Sequence, residues 1–357
     1  MRQKTKMGSG AAVAGALLAT RAEAARRPAS GLGRYVDVHH HFLPPELVEA
    51  MKASKVPAGN NNPPQWSRSL SLKRMDENAI ATSIMSISEG VEMATPSESA
   101  RMCRLCNDYG AKLMSDTPAR FGLFATLPLP DVNASLKEIE YVYGTLHTDG
   151  IAMMSHYADG QYLGDPAFSP VFEELNRRNA VVFVHPKGPF YGARGANNAI
   201  KYNGGGIPEL PIDTTRAIIS LLGEGTADRF PDVRFIFPHA GGAISSLASR
   251  VGVLGSRTPG FKLSGYDKVA KALGTFYYDI TNSVRPSSMN GIRALAAPTK
   301  LLFGTDVPYG DGPRDGRGEF IKEAVSQLPH VGLSGGDLAA LSRQNAEALF
   351  PRLKQRS

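Results

Sequence analysis

Eight short β-forming apolar runs alternate with helical stretches along this chain, and that alternation restricts the fold more than any other feature. The runs are Tyr35–Val38, Ala81–Ser88, Phe121–Leu129, Gly150–Ser155, Ala180–His185, Val233–Phe237, Phe276–Thr281 and one beginning at Lys300–Phe303. Between them apolar residues recur three and four apart, as with Leu136, Ile139, Val142 and Tyr143 in Ala134–Leu146, and that spacing lines one helix face. The same pattern runs through Ser97–Asp116, Pro170–Asn179, Asp213–Leu222, Ile292–Ala296, Phe320–Leu328 and Asp337–Phe350. Buried-type strands separated by helices argue for parallel pairing with right-handed crossovers. Eight such units close naturally into a (β/α)8 TIM barrel, an α/β fold. The rival is an open doubly wound sheet, which normally carries a glycine-rich phosphate turn after its first strand. Here the first strand runs into histidines.

The 357 residues suit one barrel domain, taken as 31–357. With 42% hydrophobic and 20% charged residues, the chain is neither disordered nor a coiled coil. No stretch reaches the ~18 uninterrupted apolar residues of a membrane span. Residues 1–30 are set apart from the fold. They hold a basic start, the Ala/Gly-rich run Gly8–Thr20, and the small-x-small site Ala22-Glu23-Ala24. Such a segment reads as a bacterial export leader, placing the protein outside the cytoplasm; the alternative is an Ala-rich tail on a cytoplasmic protein. This segment also accounts for most of the net charge of +7, since six Lys/Arg face one Glu within it. The body keeps 34 basic and 32 acidic side chains, which leaves no electrostatic footprint for nucleic acid. Cys103 and Cys106, the two cysteines, sit i, i+3 on a helical stretch and read as packing residues rather than a redox or zinc pair.

The histidines are not scattered. Five of the eight lie at three strand ends: His39, His40 and His41 after the first run, His185 after the fifth and His239 after the sixth. Asp306 ends the eighth, in Gly-Thr-Asp-Val-Pro. A barrel gathers the ends of its strands at one catalytic rim. His39 and His41 are two apart and point the same way on an extended chain, with His40 opposite. One histidine at a strand end is ordinarily structural, whereas this set supplies imidazoles, a carboxylate and an open position for water or substrate. Three neutral imidazoles favour one Zn2+ over Mg2+ or Ca2+, with Mn2+ or Fe2+ as the other candidates.

The D-x-H-x-H-x-x-P start at Asp37–Pro44, the Val-His-Pro at His185, the His-Ala-Gly-Gly at His239 and the Gly-Thr-Asp-x-Pro at Asp306 resemble the amidohydrolase superfamily. More narrowly they are similar to the branch of aminocarboxymuconate-semialdehyde and 6-methylsalicylate-type decarboxylases. Leu163–Pro166 and Asn345-Ala346 match as well, so the likeness runs from about Tyr35 to Phe350. It implies a mononuclear metal held by His39, His41, His185 and Asp306, with His239 as the catalytic histidine beside it. It also implies a homodimer, in which an arginine eleven residues after that histidine reaches the substrate carboxylate of the neighbouring subunit; Arg250 stands at that spacing. Its other reading is a surface ion pair. A second substrate-binding arginine, expected in the loop after the first strand, has no counterpart beyond Arg68. That departure favours a small aromatic monoacid over a dicarboxylic muconate.

The expected activity is metal-dependent, non-oxidative decarboxylation of a hydroxyaromatic acid, with His239 as proton carrier and Asp306 sharing that work. The alternative is hydrolysis of an ester, lactone or amide by the same centre, and fold and ligands alone do not separate the two. A retired barrel serving as a metal-dependent binding protein would lack one of the rim groups. Asp279 reads either as a group orienting the rim or as a turn residue. His156 is placed near the mouth, Phe190, Tyr191 and Arg194 on a loop that would serve as lid, His147 and His330 on the surface, and Phe276, Tyr277 and Tyr278 in the barrel core.

Overall fold

Each of the eight apolar runs forms a strand, and the strands follow one another around one sheet in chain order. They are β1 (Tyr35–His41), β2 (Ile80–Ser86), β3 (Phe121–Thr126), β4 (Gly150–Met154), β5 (Val181–His185), β6 (Arg234–Phe237), β7 (Tyr277–Asp279) and β8 (Leu301–Leu302). All neighbours pair in parallel. The chain leaving β8 closes the ring on β1: Val38 N–H donates to Phe303 O at 3.0 Å, and Asp306 N–H to His39 O at 2.7 Å. The fold is the TIM barrel that the alternation predicts. The computed structural model describes residues 34–53, 63–157, 160–187, 208–263, 265–309 and 319–354. The leader, and the loop carrying Phe190, Tyr191 and Arg194, lie outside the described residues.

Alternation along the strands divides the core into two layers. Val36, Val38, Ile84, Phe124, Ala152, Val181, Phe183, Ile236 and Leu302 point inward and fill the barrel, and Leu349, Phe350 and Leu353 from the last helices seal its floor. The opposite faces, among them Phe121, Leu123, Val182, Phe235 and Tyr278, pack against the helices. Tyr277 is half-buried rather than core, while Phe276 and Tyr278 are buried.

β1 breaks the simple alternation. Against β2, Asp37 pairs with Ser83 but His40 pairs with Met85, so β1 carries one extra residue between them. This bulge resets the phase of the strand. Below it Val36 and Val38 face the interior. Above it His39 also turns inward, its ring edge-on to that of Phe183 at 5.0 Å.

The structure also contains helices that the sequence reading does not single out, among them Pro45–Lys52, Arg68–Glu77, Ile244–Gly255 and Tyr266–Leu273. Arg68–Glu77 buries only Ser71 and Met75, and Ser67 caps it by accepting the Leu70 N–H. Cys103 and Cys106 are free and buried in the helix Pro96–Asp116, as packing residues should be. Among the described residues no helix is long and apolar enough to cross a membrane.

Candidate metal centre

The strand ends bring His39, His41, His185 and Asp306 together, with one ligand atom from each lying within 4.8 Å of all the others. His185 continues the inward phase of Val181 and Phe183 along β5. Asp306 lies beyond β8, past Gly304. A side chain at Gly304 would put its Cβ 2.9 Å from His39 Cβ and 3.1 Å from Asp279 Cγ, so this turn needs glycine to let the strands approach. Asp37 fastens the same corner. One of its oxygens accepts the N–H groups of His39 at 3.0 Å and Thr305 at 3.1 Å, and the other accepts the Thr305 hydroxyl at 2.6 Å.

Hydrogen bonds outside the cluster fix the imidazoles. His39 Nδ1 lies 2.9 Å from Asp279 Oδ2, and an ionised carboxylate only accepts, so the proton sits on Nδ1. His41 Nδ1 lies 3.2 Å from the Ser86 carbonyl and is fixed in the same way. The two Nε2 atoms then face each other at 3.1 Å, and both approach Asp306 Oδ1, at 3.3 and 3.0 Å. His185 Nδ1 is buried without a hydrogen-bond partner among the described residues.

The electrostatics agree with this geometry. Burial opposes charge on His39, but the carboxylates of Asp279 and Asp306 outweigh it and hold its pKa up at about 10. Burial pushes His41 below its ordinary value. Burial, with His41 and His39 alongside, pushes His185 well below its own. Burial would raise Asp306, yet His39, His239 and His41 keep it well below the usual carboxylate range. Acceptors that converge in this way call for a positive charge between them. A proton on His39 supplies it in the free protein, and a divalent cation fits the same place with imidazole and carboxylate donors.

His239 stands beside this set, its Nε2 3.8 Å from Asp306 Oδ2 and its Nδ1 buried without a partner among the described residues. Both His239 and Asp306 adopt positive φ, 55° and 62°, an uncommon backbone state for such residues. The His-Ala-Gly-Gly turn makes this feasible. Gly242 has φ +65°, and a Cβ there would meet Pro211 O at 2.0 Å.

His40 points away, as expected, and joins Asp37 at 3.1 Å and Ser71 at 3.0 Å. Asp279, ambiguous in sequence, is an orienting group. Tyr309, which sequence reasoning missed, packs edge-on against His41 at 5.6 Å. Its hydroxyl accepts from Ser88 at 2.8 Å and donates to Glu89 at 3.3 Å, and its place three residues after Asp306 was the available signal. His156 is buried in a separate cluster, its ring tilted against that of Tyr162 at 5.3 Å, with Nε2 3.9 Å from Asp213. His147 and His330 are exposed. Arg250 is exposed on the helix Ile244–Gly255. The surface ion pair weighed for it does not form among the described residues. Among the described residues Arg68 pairs with Asp116, at 3.8 Å.

The amidohydrolase family model matches residues 36–352. The chain is 35% identical to a decarboxylase of Aspergillus niger, over 89% of this chain and 88% of that one. It is 34% identical to the 6-methylsalicylic acid decarboxylase of Penicillium expansum, over 89% of this chain and 97% of that one. Among solved structures, a dihydroxybenzoic acid decarboxylase of Polaromonas with bound manganese superposes with a TM-score of 0.77 at 20% identity, over 91% of this chain and 98% of that one.

Proposed function

The chain belongs to the amidohydrolase family, and from that premise we propose that it is a metal-dependent decarboxylase of a small hydroxyaromatic carboxylic acid related to 6-methylsalicylate. The observation that carries this reading is His239 beside a buried three-histidine, one-aspartate cluster, in a chain whose full-length relatives at 34–35% identity are decarboxylases. His39, His41, His185 and Asp306 would hold the ion. The donor set argues for Zn2+, and the manganese of the Polaromonas structure makes Mn2+ the ion to compare with it.

A bound metal would supply a Lewis acid that draws electron density from the substrate acid. The protein's own part is to place a proton. Decarboxylation breaks one ring carbon–carboxylate bond, releases CO2 and leaves a proton on that carbon. His239 is the proton donor, since an imidazole gives up a proton near neutral pH, and solvent reprotonates it for the next turnover. Asp306 Oδ2 faces His239 Nε2 at 3.8 Å. The Tyr309 edge against His41 forms a wall of the same mouth.

The proposal includes a homodimer in which Arg250 of a second copy grips the substrate carboxylate through paired hydrogen bonds. Its exposure, with Val253 at 49% and Leu254 at 40% on the same helix, supports a covered face there. Export through residues 1–30 is likewise proposed, and N-terminal sequencing of the mature protein would test it. The deciding experiment is a panel of hydroxybenzoates incubated with the Zn2+- or Mn2+-loaded protein and scored for CO2. CO2 with no oxygen-18 taken up from labelled water supports the proposal. Oxygen-18 in an acid product without CO2 would make the protein a hydrolase.

A further inference from the structure

One fully buried carboxylate serves both halves of this site. Asp279 Oδ2 accepts from His39 Nδ1 at 2.9 Å, and Asp279 Oδ1 accepts the backbone N–H groups of His239 at 3.1 Å and Thr281 at 2.9 Å. We infer that Asp279 is a positioning residue that sets the tautomer of His39 with one oxygen and the seat of His239 with the other. The inference rests on the proposed metal reading.

The argument follows from what each atom can do. Neutral imidazole carries one proton. While Oδ2 holds it on Nδ1, the Nε2 lone pair is left facing His41 and Asp306. Were the proton on Nε2 instead, an N–H would point into the cluster and block coordination. On the other side, His239 holds a positive φ of 55°, a backbone state that persists where its surroundings fix it. The hydrogen bond from its N–H to Oδ1 is such a fixing contact. Gly304 lets the backbone pass close enough for this arrangement, because any side chain there would press on Asp279 Cγ.

Asp279→Asn separates the two functions. Asn has one oxygen and one NH2 group. With the oxygen toward His239 and Thr281, it keeps both backbone bonds and turns the NH2 group toward His39 Nδ1. The reverse orientation would set donors against two N–H groups at once. The first arrangement prevails, so His39 Nδ1 becomes an acceptor and its proton moves to Nε2. The expected results are a Mn2+ dissociation constant raised about 10–100-fold by electron paramagnetic resonance titration, and a metal-free melting temperature close to wild type. At saturating Mn2+, kcat should fall less than in Asp279→Ala, because the Asn oxygen still seats His239. Asp279→Ala should lose both affinity and kcat.

Unchanged Mn2+ affinity in Asp279→Asn would overturn the inference. So would a collapse of metal-free stability with unchanged affinity in the folded fraction, which is the signature of a packing role alone. A measurement on wild type does not depend on the variant folding. In protein loaded with Zn2+ and labelled with nitrogen-15 histidine, His39 Nδ1–H should appear as a solvent-protected imidazole proton, and its absence would refute the assignment. Wild-type protein that binds neither Mn2+ nor Zn2+ would remove the metal reading and this inference together. Wild type that binds, with a variant that binds equally, removes the inference alone.

Discussion

Two of the polar clusters among the described residues of this barrel are built on opposite rules. Behind β3, Glu138 takes a two-pronged grip from Arg104, at 3.1 Å from Nε and 2.7 Å from Nη2, and accepts Asn107 Nδ2 at 2.8 Å. Asn107 also exchanges two bonds with the Thr126 backbone, at 3.0 and 2.8 Å, and the Cys103 thiol donates to the same carbonyl at 3.1 Å. Each of these donors meets an acceptor. At the rim, by contrast, Nε2 of His39 meets Nε2 of His41, with Asp306 against both. Without a proton or cation between them these are acceptors facing acceptors, and ring nitrogens of His185 and His239 lack partners among the described residues. A saturated network contributes to folding, whereas an unsaturated one held rigidly from outside is ready for a ligand.

The contrast can be broken in graded ways. Chelation should have the largest effect, with turnover falling to background and returning on addition of Zn2+ or Mn2+, followed by CO2 release. Next, His239→Ala should cut kcat by roughly 10²–10⁴-fold while elemental analysis finds the metal content unchanged; persistence of turnover would remove His239 from its role. His185→Ala or Asp306→Ala should weaken metal binding by more than the ~10–100-fold typical of losing an outer partner, again read by elemental analysis. Glu138→Ala acts on the other cluster. It should cost about 1–3 kcal/mol in denaturant unfolding with metal content and kcat intact, and a loss of metal there would show that the two networks are not separate. The smallest effect concerns the thiols. Burial, reinforced by Glu138, pushes the Cys103 thiol well up, and burial with Glu46 does the same to Cys106. A thiol reagent should therefore label neither until the chain unfolds.

The eight strands and the rim groups were legible because each lies at the end of a compact apolar run, and a barrel turns that position into proximity. Asp279 stayed ambiguous because an aspartate after a strand looks the same whether it caps a turn or orients a ligand; only the partner of its second oxygen, His39, decides. Arg68–Glu77 was hidden because a helix burying little more than Ser71 and Met75 has no apolar stripe to read. The bulge in β1 was hidden for a different reason. It is a mismatch in count between two strands, and neither strand carries it in its own residues.

That bulge acts on β1 as a clutch acts on a shaft. Below it, Val36 and Val38 turn with the oily interior; above it, the imidazoles turn with the bend that ends in Asp306. Because one slipped residue uncouples the two ends, selection for a tighter barrel floor can rework the lower residues without swinging His39 and His41 out of aim.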